Sequence, residues 1–399
     1  MCAGLNRLES VDRTMGSRLE LPPRLVDWSI LATVSFAVAT GLLGLVSGRT
    51  GDAWVFVTHG IGGLSLVLLL FWKLRRVRHR VTNRVAWDRH TPFSILLGIV
   101  AIAALATGIY WAFGGHPVIG PWTLLFVHMA LGVLVVPLLV VHLHGRFRTP
   151  STDDFAGRRA TMGSLAVVGF GALTWRLQRG TNRLFDLAGA DHRFTGSKEE
   201  GSGEGNDFPT TSWIADDPDP IDPDAWQLRV GGHVERELAF GDEALDSSED
   251  RRAVLDCTSG WYSTHAWRGV RVGDLLDSAE PTDEAEWVSF RSVTGYRWSL
   301  PLEEARDALL ATHVDGERLS HGHGFPLRLV APGRRGFQWV KWIEAIEVRR
   351  ERDASEWLTK IASHSLASRL RRISTVSTHF THWNPRRPGA TSRSGKPWP

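Results

Sequence analysis

An all-α membrane helix bundle of four to five spanning helices, followed by a mixed α+β, sheet-rich soluble domain, is the architecture this sequence predicts. Three observations carry it: long apolar runs confined to the first half, opposite charge character in the two halves, and short alternating segments with glycine turns after residue 225. The 399 residues suit two or three domains at about 150 residues each. A net charge of only +3 hides the asymmetry, because residues 1–180 carry arginine-rich loops while residues 196–350 are rich in Asp and Glu. No nucleic acid is expected among its partners.

The four runs Val26–Val46, Trp54–Leu74, Phe93–Phe113 and Trp122–Leu143 are overwhelmingly apolar. At ~1.5 Å rise per residue each matches a ~30 Å hydrocarbon core. A shorter segment, Met162–Trp175, follows Arg158 and Arg159 and is expected as a marginal fifth span; its start also resembles a twin-arginine export signal. Basic residues set the orientation. Lys73, Arg75, Arg76, Arg78, Arg80, Arg84 and Arg89 follow the second run, and Arg146, Arg148, Arg158 and Arg159 follow the fourth, so both segments are expected on the cytoplasmic side. The expected product is a multi-pass protein of the cell membrane, with residues 1–25 inside and the soluble domain outside.

Histidines within the apolar runs are the next signal, since ionisable groups in a bilayer are costly and usually functional. His59 and His128 fall at nearly the same depth near the outer side, the arrangement two helices need to clamp one haem b. His142 returns to a similar face ~21 Å deeper than His128, which allows a second haem whose other ligand is not evident, His79 and His144 being candidates that adjoin basic interfacial sequence. The bundle resembles membrane b-type cytochromes of the cytochrome b561 group in its four helices and paired histidines.

The soluble half begins after a Gly- and Glu-rich stretch, 179–207, expected to be an extended, solvated linker. Trp226–Val230 and Val234–Phe240 alternate about Gly231-Gly232 as a hairpin, and Glu286–Phe290 with Tyr296–Leu300 repeats that pattern about Thr294-Gly295. Leu302–Thr312 is expected as an amphipathic helix, Phe325–Val330 and Ile343–Val348 as strands, and Trp357–Arg372 as a short basic helix in a partly disordered tail, 351–399. Besides Cys2 the chain has one cysteine, Cys257, which lacks a disulfide partner within its domain. Such a thiol is a nucleophile, a soft metal ligand or a small buried hydrophobe.

Five separated motifs in order decide among these. Phe194-Thr-Gly-Ser197, Phe208-Pro-Thr-Thr-Ser-Trp213, Leu255-Asp-Cys-Thr-Ser-Gly-Trp-Tyr-Ser263, Trp267-Arg-Gly-Val-Arg-Val-Gly-Asp-Leu-Leu276 and the run His321–Ile343 together resemble the molybdopterin-binding oxidoreductase domain of the sulfite oxidase family. The likeness leans toward prokaryotic members, including methionine-sulfoxide reductases and versions fused to an amino-terminal membrane cytochrome. It implies a division into a cytochrome b-like bundle, 26–178, and a molybdopterin domain, 208–350. It also implies a molybdenum-molybdopterin cofactor with Cys257 as the metal's thiolate ligand, and His323, Arg328, Trp339, Val340, Lys341 and, less directly, Ser292 as cofactor-binding residues. Arg328 and Lys341 suit a pterin phosphate. On the substrate side Tyr262, His265, Tyr296 and Arg297 are expected to line the pocket above the metal, an arginine or tyrosine orienting an oxyanion.

The two halves joined predict oxygen-atom transfer on a small oxo compound, a sulfite-like anion or a sulfoxide, with electrons exchanged through haem with membrane quinone. The alternative is a membrane b-type electron carrier or binding module whose soluble domain is not catalytic.

Overall fold

The structure, a computed structural model, describes residues 22–120, 122–150, 158–212, 216–245 and 249–359. The amino terminus before residue 22, Trp213 and the tail beyond residue 359 lie outside them, and with that tail most of the expected helix 357–372.

Four helices open the chain: α1 (Pro23–Val46), α2 (Ala53–Thr82), α3 (Thr91–Ala112) and α4 (Leu124–Arg146). Each belongs to a segment long and apolar enough to cross a membrane. A proline in the first turn starts α1 and α3, and Thr123 caps α4 by accepting the Phe126 N–H at 3.2 Å. Large apolar side chains such as Phe71, Ile99 and Val140 stand on the outside of this bundle. A fifth helix, α5 (Arg158–Leu184), packs along α2, where the Ser65 hydroxyl donates to Val167 O at 3.3 Å and Trp175 lies against Gly60. It is longer than the expected segment 162–175 but more polar, with Arg176, Arg179 and Arg183 on it. Among the described residues the helices apolar enough to span are therefore four.

The pairs α1–α2 and α3–α4 repeat one design. Ala37-Val-Ala-Thr-Gly41 on α1 matches Ala104-Leu-Ala-Thr-Gly108 on α3. In each pair the glycine leaves room for a histidine ring of the next helix, His59 on Gly41 and His128 on Gly108.

The soluble half contains two sheets. Its strands are β1 (Lys198–Glu199), β2 (Gln227–Gly232), β3 (Leu238–Gly241), β4 (Glu249–Asp256), β5 (Trp261–Arg271), β6 (Trp287–Ser292), β7 (Arg297–Pro301), β8 (Leu309–Val314), β9 (Glu317–Arg318), β10 (Arg328–Val330) and β11 (Ile343–Arg349). The first sheet runs β9-β8-β5-β1, with β4 also paired to β5 and β10 to β8; the second runs β3-β2-β11-β6-β7. Only β1–β5 and β2–β11 are parallel among these named pairs. Trp267, Leu228, Phe290, Leu309 and Ile346 are fully buried in one shared core.

The expected β6–β7 hairpin forms about Thr294-Gly295, whereas β2 and β3 pair only from Leu238, because Gly231 and Gly232 continue β2 alongside β11 instead of supplying the turn. The expected helix 302–312 does not. It stops at Arg306, and Leu309–Val314 becomes β8, because Leu309, Leu310, Ala311 and Thr312 are buried on both faces, an environment that favours a central strand.

The expected solvated linker, 179–207, is instead packed. α5 occupies it to residue 184, β1 pairs with β5, and Thr195 and Ser197 are buried. Its Gly and Glu content is concentrated after residue 198, whereas Thr195 Oγ1 and Ser197 Oγ donate to the buried Asp256 carboxylate at 2.8 and 2.7 Å. The domain also continues past residue 350. Glu356 is buried and accepts the Ser299 N–H at 2.8 Å.

The soluble domain sits on one end of the bundle. Thr123 Oγ1 donates to Ser259 O at 2.6 Å, Trp111 Nε1 to Gly196 O at 2.8 Å, and Arg49 to Glu304, which also holds Arg334. Ser197→Ala is expected to lower stability by about 1.5–3 kcal/mol, the range for a hydrogen bond to a charged group. Thermal unfolding of the detergent-solubilised full chain measures it; a solvated tether would show no change.

Candidate functional site

Cys257 sits at the tip of the tight connection between β4 and β5. Its N–H donates to Trp261 O at 2.9 Å and its carbonyl accepts the Gly260 N–H at 3.2 Å, which closes the turn. Gly260 has φ +104°, a left-handed value that glycine adopts without strain. The thiol is 3.1 Å from Ser259 Oγ. A second loop supports it from behind: Arg335 donates to Cys257 O at 3.2 Å, and Gly336 lies so close that a Cβ there would be 3.2 Å from Cys257 Cα.

Asp256, 1% exposed, anchors this turn. Besides Thr195 and Ser197 it holds Arg193 at 2.5 Å and Arg335 at 2.8 Å. Neither Asp256 nor Arg335 was singled out in the sequence. The Phe194-Thr-Gly-Ser197 motif was the available signal, without its partner.

Arg328, at the start of β10, is buried without a carboxylate. It donates to His323 O at 3.0 Å, while its Nε has no partner among the described residues. The rings of Trp267 and Trp339 flank it at 5.4 and 5.9 Å, and Trp339 is itself tied to Arg334 O. Burial pulls the guanidinium down to about 10, opposed by attraction to Cys257, so it stays charged at neutral pH. Lys341 donates to Thr211 O, Ser212 Oγ and Gly322 O at 3.2, 2.8 and 2.9 Å. Burial first, then repulsion by Arg328, lowers its ammonium to about 7. Among the described residues neither cation has an ion-pair partner within bonding distance.

His323 is buried against the Phe208 ring, and burial followed by the nearby Arg328 lowers it to about 4, so it is neutral. Its Nε2 faces Phe208 O at 3.0 Å, which can only accept, so Nε2 carries the proton and Nδ1 accepts from Ser320 Oγ at 2.8 Å. Both nitrogens are thus committed, and His323 meets Arg328 through its carbonyl. Val340 is buried, with its carbonyl bound to Leu329 N–H. Ser292 Oγ accepts the Thr294 N–H at 3.3 Å, while the Thr294 hydroxyl donates to Asp216 at 2.5 Å. Burial raises the Asp216 carboxyl, and Lys341 opposes that rise.

The expected substrate residues are placed less simply. Tyr296 is buried and donates to Phe337 O at 2.6 Å, in the loop behind Cys257. Arg297 is held by Asp353 and Ser355, each at 2.5 Å, so its fork is satisfied by the segment after β11, which could not be foreseen while that segment was read as tail. His265 is buried and paired with Asp315 at 2.5 Å.

In the bundle, His59 and His128 face each other with ring centroids 6.1 Å apart and planes at 89°. His59 Nδ1 lies 3.0 Å from Ala37 O and 3.1 Å from Thr40 Oγ1; His128 Nδ1 lies 2.8 Å from Ala104 O. His142 Nδ1 meets Ser94 Oγ at 2.9 Å, and no histidine ring pairs with it among the described residues.

The family model described as the oxidoreductase molybdopterin binding domain matches residues 215–357. The uncharacterized oxidoreductase YuiH of Bacillus subtilis is 32% identical over 137 residues, 33% of this chain and 69% of that protein. The chain belongs to the molybdopterin-binding oxidoreductase family. The protein-methionine-sulfoxide reductase catalytic subunit MsrP of Xanthomonas axonopodis pv. citri is 32% identical over 152 residues, 33% of this chain and only 47% of that protein. Among solved structures, the sulfane dehydrogenase SoxCD from Paracoccus pantotrophus aligns with 26% identity, a TM-score of 0.32, and 33% and 40% of the two chains covered.

The molybdopterin domain is therefore that of an oxidoreductase of the sulfite oxidase family. Its residues fit the cofactor on their own chemistry. A thiol stands beside two covered cations that have no ion-pair partner among the described residues, and an orphaned guanidinium N–H calls for an acceptor; a metal with a phosphate-bearing pterin answers both needs.

An anion docked at Lys341 must raise its lowered pKa. Loading of the cofactor-free full chain with inorganic phosphate is expected to take up a proton at about pH 8 and to weaken as pH rises through 7, and calorimetry in buffers of different ionisation enthalpy reads the uptake. Lys341→Met should abolish that uptake.

Proposed function

We propose that this chain is a membrane-anchored molybdenum-cofactor oxidoreductase that transfers an oxygen atom to or from a small oxo compound, a sulfite-like anion or a sulfoxide. The observation that carries this is the pair of buried cations, Arg328 and Lys341, gathered around the Cys257 turn with no ion pair among the described residues, in a domain of this family. The bound cofactor supplies two-electron oxygen-atom chemistry. Cys257 holds the metal through its sulfur, and Ser259 Oγ, 3.1 Å away, donates to that sulfur as thiolate. Arg328, pinned between two tryptophans, and Lys341 hold the phosphate end. Ser292, His323, Trp339 and Val340 shape the walls that orient it. Tyr296 fixes the loop behind Cys257 rather than reaching for substrate. The name of the Xanthomonas relative supports a sulfoxide within the substrate class.

Electrons, in this reading, reach the site through haem b held by His59 and His128. The two rings, with centroids 6.1 Å apart on neighbouring helices, would hold the iron as a facing pair of imidazoles. Their Nδ1 atoms point at backbone carbonyls, which fixes the tautomer that leaves Nε2 free for iron. The internal repeat favours one haem over two. Where α3–α4 pairs Ser94 with His142, α1–α2 pairs Asp27 with Lys73 at 2.8 Å, so the partner of His142 is a salt-bridged lysine. The soluble domain docks on the end opposite the Lys/Arg-rich loops, which supports an extracytoplasmic site and exchange with the membrane quinone pool.

Purified full-length protein tests both parts. Cys257→Ser should lower turnover of methionine sulfoxide or sulfite with artificial dyes by about 10²-fold or more, while haem absorption persists; unchanged turnover would sink the assignment. His59→Ala and His128→Ala should each lose the haem band, and His142→Ala should keep it.

A further inference from the structure

The carboxyl end of α3 reaches beyond the bundle into the Cys257 turn. Trp111 is buried and lies one helical turn past Gly108, on which the His128 ring rests. Its indole N–H is fixed by Gly196 O at 2.8 Å, and its ring fills the space beside Gly260, where a Cβ would come within 2.6 Å of Trp111 Cζ2. Gly260 in turn donates to Cys257 O. His116 and His192 pack over the indole with centroids 4.7 and 5.8 Å away, and Thr123, capping α4, is bonded to Ser259 O. One aromatic side chain thus touches the thiol-bearing turn and rides on the helix that seats a haem-facing histidine.

We infer that Trp111 is the bridge by which electrons pass, one at a time, between the His59–His128 haem and the centre at Cys257. The inference rests on the haem and molybdenum readings above and adds the route between them. A polarizable indole that touches the thiol-bearing turn and stands about one helical turn from the seat of the His128 ring couples the two sites more strongly than saturated side chains or solvent. Removal of oxygen from a sulfoxide consumes two electrons and two protons and releases water; a quinol supplies both electrons and both protons, the electrons crossing Trp111 in two passages. Oxidation of a sulfite-like anion reverses this balance, with water as oxygen donor and a quinone as acceptor.

Flash photoreduction of the haem by a deazaflavin radical, in the full-length molybdenum-loaded protein, reads the step directly. Haem reoxidation should appear together with the one-electron-reduced molybdenum signal in electron paramagnetic resonance. Trp111→Phe and Trp111→Leu should slow that phase severalfold, the second more, with haem bands and molybdenum content unchanged; Trp87→Phe, at the other end of the bundle, should leave it unaltered. Equal rates in wild type and both Trp111 variants would overturn the route while leaving the two cofactors standing. A second measurement needs no variant: transfer across a fixed contact is independent of glycerol viscosity, and a rate that falls with viscosity would overturn the bridge in favour of a swinging domain. A wild-type protein with no haem band would overturn the haem reading, and the route with it.

Discussion

The Asp256 carboxylate is the constraint on which the site depends. A buried carboxylate is costly unless every lone pair is answered, and here Arg193, Thr195 and Ser197 from one segment and Arg335 from another answer it. Because Asp256 immediately precedes Cys257, satisfying that charge fixes the backbone of the thiol turn. Arg335 does both tasks, pairing with Asp256 and donating to Cys257 O. Arg328 and Lys341 are the opposite case. The fold holds them in place with rings and carbonyls, and among the described residues no carboxylate forms an ion pair with either. The site around Cys257 is therefore complete mechanically, with two buried cations left to meet an anion.

The same logic joins the two halves. The bundle repeats one small-residue motif so that two rings approach across neighbouring helices, and its outer end supplies Trp111 and Thr123 to the turn on the other side of Cys257. Asp256 and the segment before β1 hold that turn from within the domain, while α3 and the start of α4 hold it from the bundle. A turn clamped from both sides suits the oxygen-atom and electron exchange proposed for this centre.

Much of this was legible in the sequence, and the failures have physical causes. Apolar runs announced the four helices because hydrophobic length is a local property, and the ordered motifs singled out Cys257, Arg328 and Lys341, which the fold brings to one place. The β6–β7 hairpin was legible through Thr294-Gly295. Residues 302–312 misled because Glu and Ala favour a helix locally, while burial on both faces, a property of the tertiary fold, makes Leu309–Val314 a strand. Residues 193–199 looked solvated because the carboxylate they serve lies some sixty positions away. Arg297 looked like a pocket residue because Asp353 and Ser355 had been assigned to a tail. The Ala-x-Ala-Thr-Gly repeat was visible, but its meaning needs the histidines of the adjacent helices.

X-ray absorption at the molybdenum edge of the purified, loaded protein tests the central claim, that Cys257 completes the metal centre. Wild-type protein should show one sulfur ligand beyond those of the pterin dithiolene, absent in Cys257→Ala. A wild-type spectrum with dithiolene sulfur alone would contradict it.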